Sequence, residues 1–377
     1  MQAIILAGGE GTRLRPLTLT WPKPVMPLVD RPLIRYMLDW VARHGVTDAV
    51  IACGFGADTV REALDDTGGG AIAHIEYVEE AEPLGTAGPL RLAADEGLLD
   101  ERFLVLNADA LADLDLGALM RAHADQGAVV TLALHPVPDP SGYGLVRREG
   151  GPPAPGVSPA TADGEVLRFV EKPAADEIDT DEISAGAYVV ERRVIDMIPR
   201  GRMVSIEREV FPRLVGRGLY GHRLEGYWMD IGTPERYLDA SWDILEGRVQ
   251  TDAGRRMDRG GVLVEDGARV DPGADVRPPA LLESDVAVGP GAVLGARVVV
   301  GRGCEIGDRA TVSSSVVLSG CRIGPDATID EAILASGVVV GAEARIGDGA
   351  VIGEGARIEV GVAIEDGARI APREVVE

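Results

Sequence analysis

Two lysines stand against thirty-five arginines in this 377-residue chain, in the strings Pro22-Lys23-Pro24 and Glu171-Lys172-Pro173. A lysine is a compact point charge on a flexible stem, whereas arginine is a planar fork, so the two are not equivalent where one cation must meet a phosphate oxygen. Lys23 and Lys172 therefore read as phosphate contacts, against the plainer reading of two surface lysines that escaped a bias toward arginine. Their neighbours decide. An apolar run, Ala3–Ala7, leads straight into Gly8-Gly9-Glu10-Gly11-Thr12-Arg13. Glycines after a buried strand let backbone N–H groups close on an anion. The loop lacks the Gly-Lys-Ser/Thr of a P-loop, and no helix or ribose-binding acid follows as in a dinucleotide fingerprint. With Thr12, Arg13 and then Lys23 close behind, it reads as a clamp for a polyphosphate.

Two kinds of element must position these residues. Over the first 240 residues, strand-like runs (Ala3–Ala7, Ala49–Ala52, Ile72–Val78, Phe103–Leu106, Val129–Leu134) alternate with helical patterns (Leu33–Arg43, Leu116–Gln126), as βαβ units do. That predicts an α/β domain with a mostly parallel sheet, covered on both faces and binding ligand at the carboxyl ends of its strands. Glu149–Gly164 reads as a loop, Pro234–Val249 as a helix, and Thr251–Gly260 as a polar boundary. From Val264 onward an aliphatic residue recurs every six positions through Leu318, steps by five to Ile323, and steps by five again from Ile329 to Leu334 before continuing to Ile370. Neither a helix nor a simple strand has a period of six. Short flat strands joined by tight corners do, which predicts a left-handed parallel β-helix. The expected division is 1–245, a linker over 246–260, and a β-helix over 261–377.

Composition narrows the partners. A formal charge of −24 argues against nucleic acid and anionic membranes, which need a basic face. No apolar run is long enough to span a bilayer. Cys53, Cys304 and Cys321 lack zinc spacing and read as reduced structural thiols, so a cytoplasmic location is expected.

The string Gly8-Gly9-x-Gly11-Thr12-Arg13-Leu14-Arg15-Pro16-Leu17-Thr18, followed by Pro22-Lys23-Pro24-Val25-Met26-Pro27-Leu28, resembles the signature of the sugar-1-phosphate nucleotidyltransferases. Further matches follow in the family's order: Pro83–Gly88, Leu106–Asp109, Gly142–Gly144, Phe169–Pro173 and Ile183–Gly186. The segments Ser205–Pro212 and Tyr227–Pro234 are most similar to mannose-1-phosphate guanylyltransferases, and a hexapeptide β-helix is a familiar attachment in the family. The resemblance covers nearly the whole chain and implies a Rossmann-like nucleotidyltransferase domain ahead of the β-helix.

The implied reaction is attack of a sugar-1-phosphate oxygen on the α-phosphorus of a nucleoside triphosphate, with pyrophosphate leaving; GTP and mannose 1-phosphate are favoured. The nucleophile is already an anion, so the need is for in-line positioning and charge neutralisation rather than a general base. By resemblance, Arg13, Lys23, Lys172, Asp109 and Asp230 carry catalysis. Leu6, Gly8, Gly9, Gly11, Thr12, Arg13, Lys23, Gly85, Thr86 and Gly88 bind nucleotide, the loop glycines and Thr86 through their backbone. Asn107, Gly144, Glu171, Lys172, Ser184 and Gly186 bind the sugar phosphate. Asp109 and Asp230 are the expected ligands of Mg²⁺, which one or two carboxylates plus phosphate oxygens and water typically hold. Ser184 departs from the family's usual Asn, which puts the sugar hydroxyl contacts there in question.

Three rivals remain. A thymidylyl- or uridylyltransferase acting on glucose 1-phosphate would share the same core. A regulatory subunit sensing nucleotide sugar is disfavoured by the intact Arg13, Lys23, Asp109, Lys172 and Asp230. A hexapeptide acyltransferase would want a histidine base, yet His44, His74, His123, His135 and His222 all precede the repeat. The β-helix is instead expected to mediate a homo-oligomer.

Overall fold

Runs such as Ala3-Ile4-Ile5 and Phe103-Leu104-Val105-Leu106 are wholly buried, as strands covered on both faces must be. The structure is a computed structural model and describes residues 1–54, 56–66, 70, 72–257 and 261–377. Contacts group it into two units: residues 1–9 with 37–228, and residues 10–36 with 229–377. The stretch 1–245 therefore contributes to both, and the Gly-rich loop passes from one to the other after Gly9.

The first unit is built on nine strands. They are β1 (Gln2–Leu6), β2 (Asp48–Cys53), β3 (His74–Glu79), β4 (Arg102–Asn107), β5 (Val130–Pro136), β6 (Gly144–Arg148), β7 (Asp163–Glu171), β8 (Glu182–Glu191) and β9 (Leu219–Arg223). Their order across the sheet is β3-β2-β1-β4-β8-β5-β9-β7-β6. The expected parallel character holds for β3, β2, β1 and β4, and again for β5 with β9. Beyond β4 the sheet is mixed, because β8 runs antiparallel to both β4 and β5, and β7 to both β9 and β6. The physical reason is the connection: β6 reaches β7 through the Pro- and Gly-rich 149–162 loop, and an antiparallel return needs no helical crossover.

Helices α1 (Leu33–Arg43) and α4 (Leu116–Gln126) occupy their predicted spans, with α2 (Ala57–Asp66) and α3 (Gly88–Asp95) between them. Asp115 caps α4 by accepting from the Ala118 N–H at 2.9 Å, and Gly127, at φ 57°, ends it in the left-handed region. The helix expected over Pro234–Val249 is α5 (Pro234–Leu245). Within the expected linker Thr251 caps a short helix, α6 (Asp252–Arg256). Residues 258–260 of the polar boundary lie outside the described residues.

In the second unit the six-residue period produces two- and three-residue strands stacked in three parallel ladders. Val262 pairs with Ala280 and Ala280 with Val298, so one coil takes 18 residues. The ladder then runs Val300–Val317–Leu334, 17 residues at each step. Val317, not Leu318, is thus the inward residue, and the first short step falls between Val312 and Val317 rather than after Leu318. Corners need a left-handed residue, supplied by Gly303 at φ 66° and, at equivalent turns, by Asp326 at φ 59°.

One ladder is apolar on its outside as well. Leu281, Val299, Val316, Ile333 and Val351 point away from the coil yet are at most 1% exposed. Burying each such side chain is worth roughly 1.5–3 kcal/mol relative to leaving it in water. The rest of the unit reaches this side of the β-helix. Arg297 stacks on Trp242 of α5 at 5.2 Å and bonds Glu246 at 2.6 Å, while the Trp21 indole donates to Glu354 at 3.1 Å.

Candidate active site

In the second unit a short 3₁₀ turn, Thr12–Leu14, follows Gly11, whose φ is 59°. A Cβ on Gly11 would lie 3.0 Å from the Thr18 methyl and 3.2 Å from the Lys23 Cβ, so with its left-handed φ any other residue would strain this loop. Thr18 Oγ1 donates to the Gly11 carbonyl at 2.8 Å and fixes the return. Lys23 is 7% exposed and lines a small cavity together with Leu14, Met26, Leu28, Leu33, Ile231 and Tyr237. Its ammonium lies 3.7 Å from Asp230, and the Arg13 guanidinium lies 3.8 Å from the same carboxylate. A Cβ on Gly232 would fall 2.7 Å from Arg13 and 2.8 Å from Asp230. Three residues singled out in the sequence therefore meet, and Gly232 is the missing Cβ that lets them. Arg13 remains exposed and available to an anion.

In the first unit, β8 carries an irregularity between Ser184 and Tyr188 relative to β5. Bulges of this kind re-aim side chains, and here the extra residues bring Gly186, at φ 72°, against Asn107 at the end of β4. A Cβ on Gly186 would sit 3.2–3.4 Å from the Asn107 side chain. Asn107 Oδ1 is buried and accepts no hydrogen bond among the described residues. The Trp228 indole donates to the Ala185 carbonyl at 2.8 Å and packs edge-on against Tyr143. Burial pushes the Tyr188 hydroxyl far above its usual range; Glu207 adds to the rise, Ser184 opposes it, and Glu171 and Asp109 add smaller pushes.

Glu171 ends β7 opposite Gly144, where a Cβ would be 2.6 Å from the Phe169 ring and 3.2 Å from the Glu171 carboxylate. Burial raises the Glu171 carboxyl above its ordinary range, with Glu207 adding and Lys172 and Arg208 opposing. Lys172 is exposed and adopts φ 55°, a left-handed conformation that costs a non-glycine residue energy, while its N–H donates to the Tyr143 carbonyl at 2.9 Å. Strain of this sort persists where the surroundings hold it.

The Pro83–Gly88 segment is clamped from 120 residues away. Thr86 Oγ1 donates to Glu207 at 2.6 Å and accepts from the Ile206 N–H at 2.9 Å. Gly85, at φ 75°, passes so close to Val204 that a Cβ would sit 2.5 Å from its carbonyl oxygen. The Thr86 hydroxyl is thereby committed to this clamp. Leu6 closes β1 between Ala52 and Asn107, and Gly8 and Gly9 are exposed just beyond it.

Three contributors had no role assigned from sequence: Glu207 and Gly232, which lie inside the matched Ser205–Pro212 and Tyr227–Pro234 segments, and Glu80, which lies in none. Glu80 accepts from the Leu84 N–H at 2.8 Å and lies against Gly8. Its only sequence signal is an acid placed just after an apolar strand. Among the described residues no group of three or more His, Cys, Asp or Glu is placed to hold a metal, and no helix is long and apolar enough to cross a membrane.

The chain matches the Nucleotidyl transferase family over residues 2–247 and the GMPPB C-terminal domain over residues 276–377. It is 40% identical over 277 residues to the mannose-1-phosphate guanylyltransferase of Mycobacterium tuberculosis, covering 73% of this chain and 72% of that protein. The mannose-1-phosphate guanyltransferase of Schizosaccharomyces pombe is 40% identical over 240 residues, 63% of this chain and 62% of its own length. The probable mannose-1-phosphate guanylyltransferase 3 of Oryza sativa subsp. japonica is 36% identical over 286 residues, 74% and 75%. Among solved structures, HddC from Yersinia pseudotuberculosis superposes with a TM-score of 0.53 over 64% of this chain and 97% of that one; at 24% identity this is a likeness of fold. The cations beside Asp230 and the glycines that admit them fall inside the matched region, and the chain belongs to the Nucleotidyl transferase family as an enzyme that transfers a nucleotidyl group.

Proposed function

We propose that the enzyme transfers guanylate from GTP to mannose 1-phosphate, giving GDP-mannose and pyrophosphate. The observation that carries the chemistry is the convergence of Arg13 and buried Lys23 on Asp230. Two cations held by one carboxylate are pre-positioned before any anion arrives, so no reorganisation is needed when charge builds on the α-phosphate. Arg13 and Lys23 would meet the triphosphate, and Lys172 the phosphate of the sugar. Glu171, beside Gly144, would accept sugar hydroxyls together with the Ser184–Gly186 bulge and Asn107. Because the attacking oxygen is already an anion, in-line placement of the two substrates would replace a general base.

Asp109 and Asp230 are the residues we assign to Mg²⁺. Two carboxylates without a histidine or thiolate suit a hard cation whose remaining positions are filled by phosphate and water, rather than a closed protein cage. When bound, the ion would neutralise phosphate charge. Guanine and mannose are favoured because the relatives at 36–40% identity carry those substrates in their names.

A matrix of GTP, dTTP, UTP, ATP and CTP against mannose 1-phosphate and glucose 1-phosphate, scored by released pyrophosphate, tests the assignment. GTP with mannose 1-phosphate is expected to give the highest kcat/KM; dTTP or UTP with glucose 1-phosphate leading would replace it with the rival transferase. We also assign the β-helix to self-assembly, and equilibrium sedimentation at micromolar concentration is expected to return more than one subunit. A monomer there removes that role.

A further inference from the structure

We propose that the β-helix positions Lys23, through a hydrogen bond from the Trp21 indole to Glu354; the inference rests on the reading of Lys23 as a triphosphate contact. The loop that bears Arg13 and Lys23 groups with the β-helix rather than with the nine-stranded sheet. Trp21 stands two positions before Lys23, and its indole N–H reaches the Glu354 carboxylate at 3.1 Å, 333 positions on. Glu354 follows the rung Val351–Ile352. The next rung opens with Arg369, which pairs with Val351 in the ladder and lies 3.5 Å from Glu235. Glu235 in turn stands five positions after Asp230. Two adjacent coils of the β-helix thus hold both segments that meet at the Lys23–Asp230 ion pair, a role beyond self-assembly.

The two contacts are unequal. Glu235 keeps 66% of its side chain in water, so its pairing with Arg369 guides rather than holds. The Trp21 bond is of another kind, since an indole N–H can only donate and an ionised carboxylate can only accept. Hydrogen bonds to a charged acceptor are about twice as strong as neutral ones. What this bond fixes is passed on, because Lys23 sits between two prolines whose rings lock their φ angles. Inside that turn the Val25 N–H donates to the Pro22 carbonyl at 3.0 Å, and the Met26 N–H to the Lys23 carbonyl at 3.2 Å. Beyond it the buried Tyr237 of α5 donates its hydroxyl to the Pro27 carbonyl. The lysine turn is therefore a stiff piece pinned at both ends, by Glu354 before it and Tyr237 after it. Cutting one pin lets the ammonium shift against Asp230, and a displacement of about 1 Å is enough to cost rate.

The test is steady-state kinetics on the full-length enzyme, with the nucleotide and sugar 1-phosphate it turns over fastest, so the outcome does not hang on the GTP assignment. Trp21→Phe and Glu354→Leu are each expected to lower kcat about 3- to 10-fold, the range of one net hydrogen bond. The two together are expected to fall within about twofold of the slower single variant, because both remove the same bond. Glu354→Gln keeps an acceptor at that place and is expected to stay within about twofold of native kcat. KM for the sugar 1-phosphate is expected to hold within about twofold throughout, because the residues assigned to it belong to the other unit. Native kcat in folded Trp21→Phe or Glu354→Leu, with only the melting temperature lowered, makes the contact structural and overturns the proposal. So do losses that multiply in the double variant, a Glu354→Gln enzyme as slow as Glu354→Leu, or a fall in kcat matched by a rise in that KM. Native kcat in Lys23→Arg instead removes the reading of Lys23 itself, and is seen without any change at Trp21.

Discussion

Lys23→Arg is expected to lower kcat by about 10²–10³, although the charge is kept. Lys23 is buried and lines a small cavity together with Leu14, Met26, Leu28, Leu33, Ile231 and Tyr237, and its ammonium ends 3.7 Å from Asp230. A guanidinium is wider and planar, so it must either displace those side chains or withdraw toward solvent. Either course moves the positive centre by an ångström or more. A cation whose value lies in being placed before the reaction loses most of that value when it shifts. The exposed Arg13 cannot compensate, because it approaches the same carboxylate from the opposite environment, with 67% of its side chain in water. The check is steady-state kinetics with GTP alongside a thermal melt. A fall in kcat/KM with little change in melting temperature assigns Lys23 to the transition state; a lower melting temperature with normal turnover makes it a structural cation.

What could be read in advance followed from local chemistry, and what could not depended on pairings distant in sequence. The types of Arg13, Lys23 and Asp230 marked them as functional, but nothing local says that a lysine and an aspartate 207 positions apart share one ion pair. The period of six revealed the β-helix, because each coil repeats the same demand for one inward aliphatic and one tight corner. It misplaced one rung, since Val316-Val317-Leu318 offers three consecutive apolar residues and only the ladder to Val300 and Leu334 chooses among them. That ambiguity had a cause visible in hindsight: Leu281, Val299, Val316, Ile333 and Val351 are buried apolar residues on the outer side of one ladder, so its rungs carry aliphatic residues on both sides. The parallel strands β1, β2 and β4 were legible as apolar runs and β3 as a half-exposed one, whereas β6 and β7 were hidden on either side of a return loop. Glu80 lies in no recognisable pattern, and Glu207, although inside the matched Ser205–Pro212 segment, carries no local sign of what it bonds. Each acts by bonding a loop, through the Leu84 N–H and the Thr86 hydroxyl respectively.

Asp230→Asn is expected to abolish detectable pyrophosphate release and also to destabilise the fold by about 3 kcal/mol, a combination that separates its two duties. A residue that served only as a metal ligand would lose activity on this change and, relieved of a charge, keep or gain stability. A residue that served only as counter-ion to Lys23 would cost stability but leave the folded enzyme competent. Side chains only 9% and 11% exposed in the pair make the second duty real, because a buried ammonium without its carboxylate has little water to turn to. The exposed Arg13 adds little to that cost, since water screens it. The two duties come apart in a double-mutant cycle with Lys23→Met, in which no buried cation remains to be left unpaired. In that background Asp230→Asn is expected to cost less than about 1 kcal/mol, while pyrophosphate release stays undetectable. An equal stability cost with and without Lys23 would place the partner of Asp230 elsewhere, and normal turnover by folded Asp230→Asn would remove this carboxylate from the reaction.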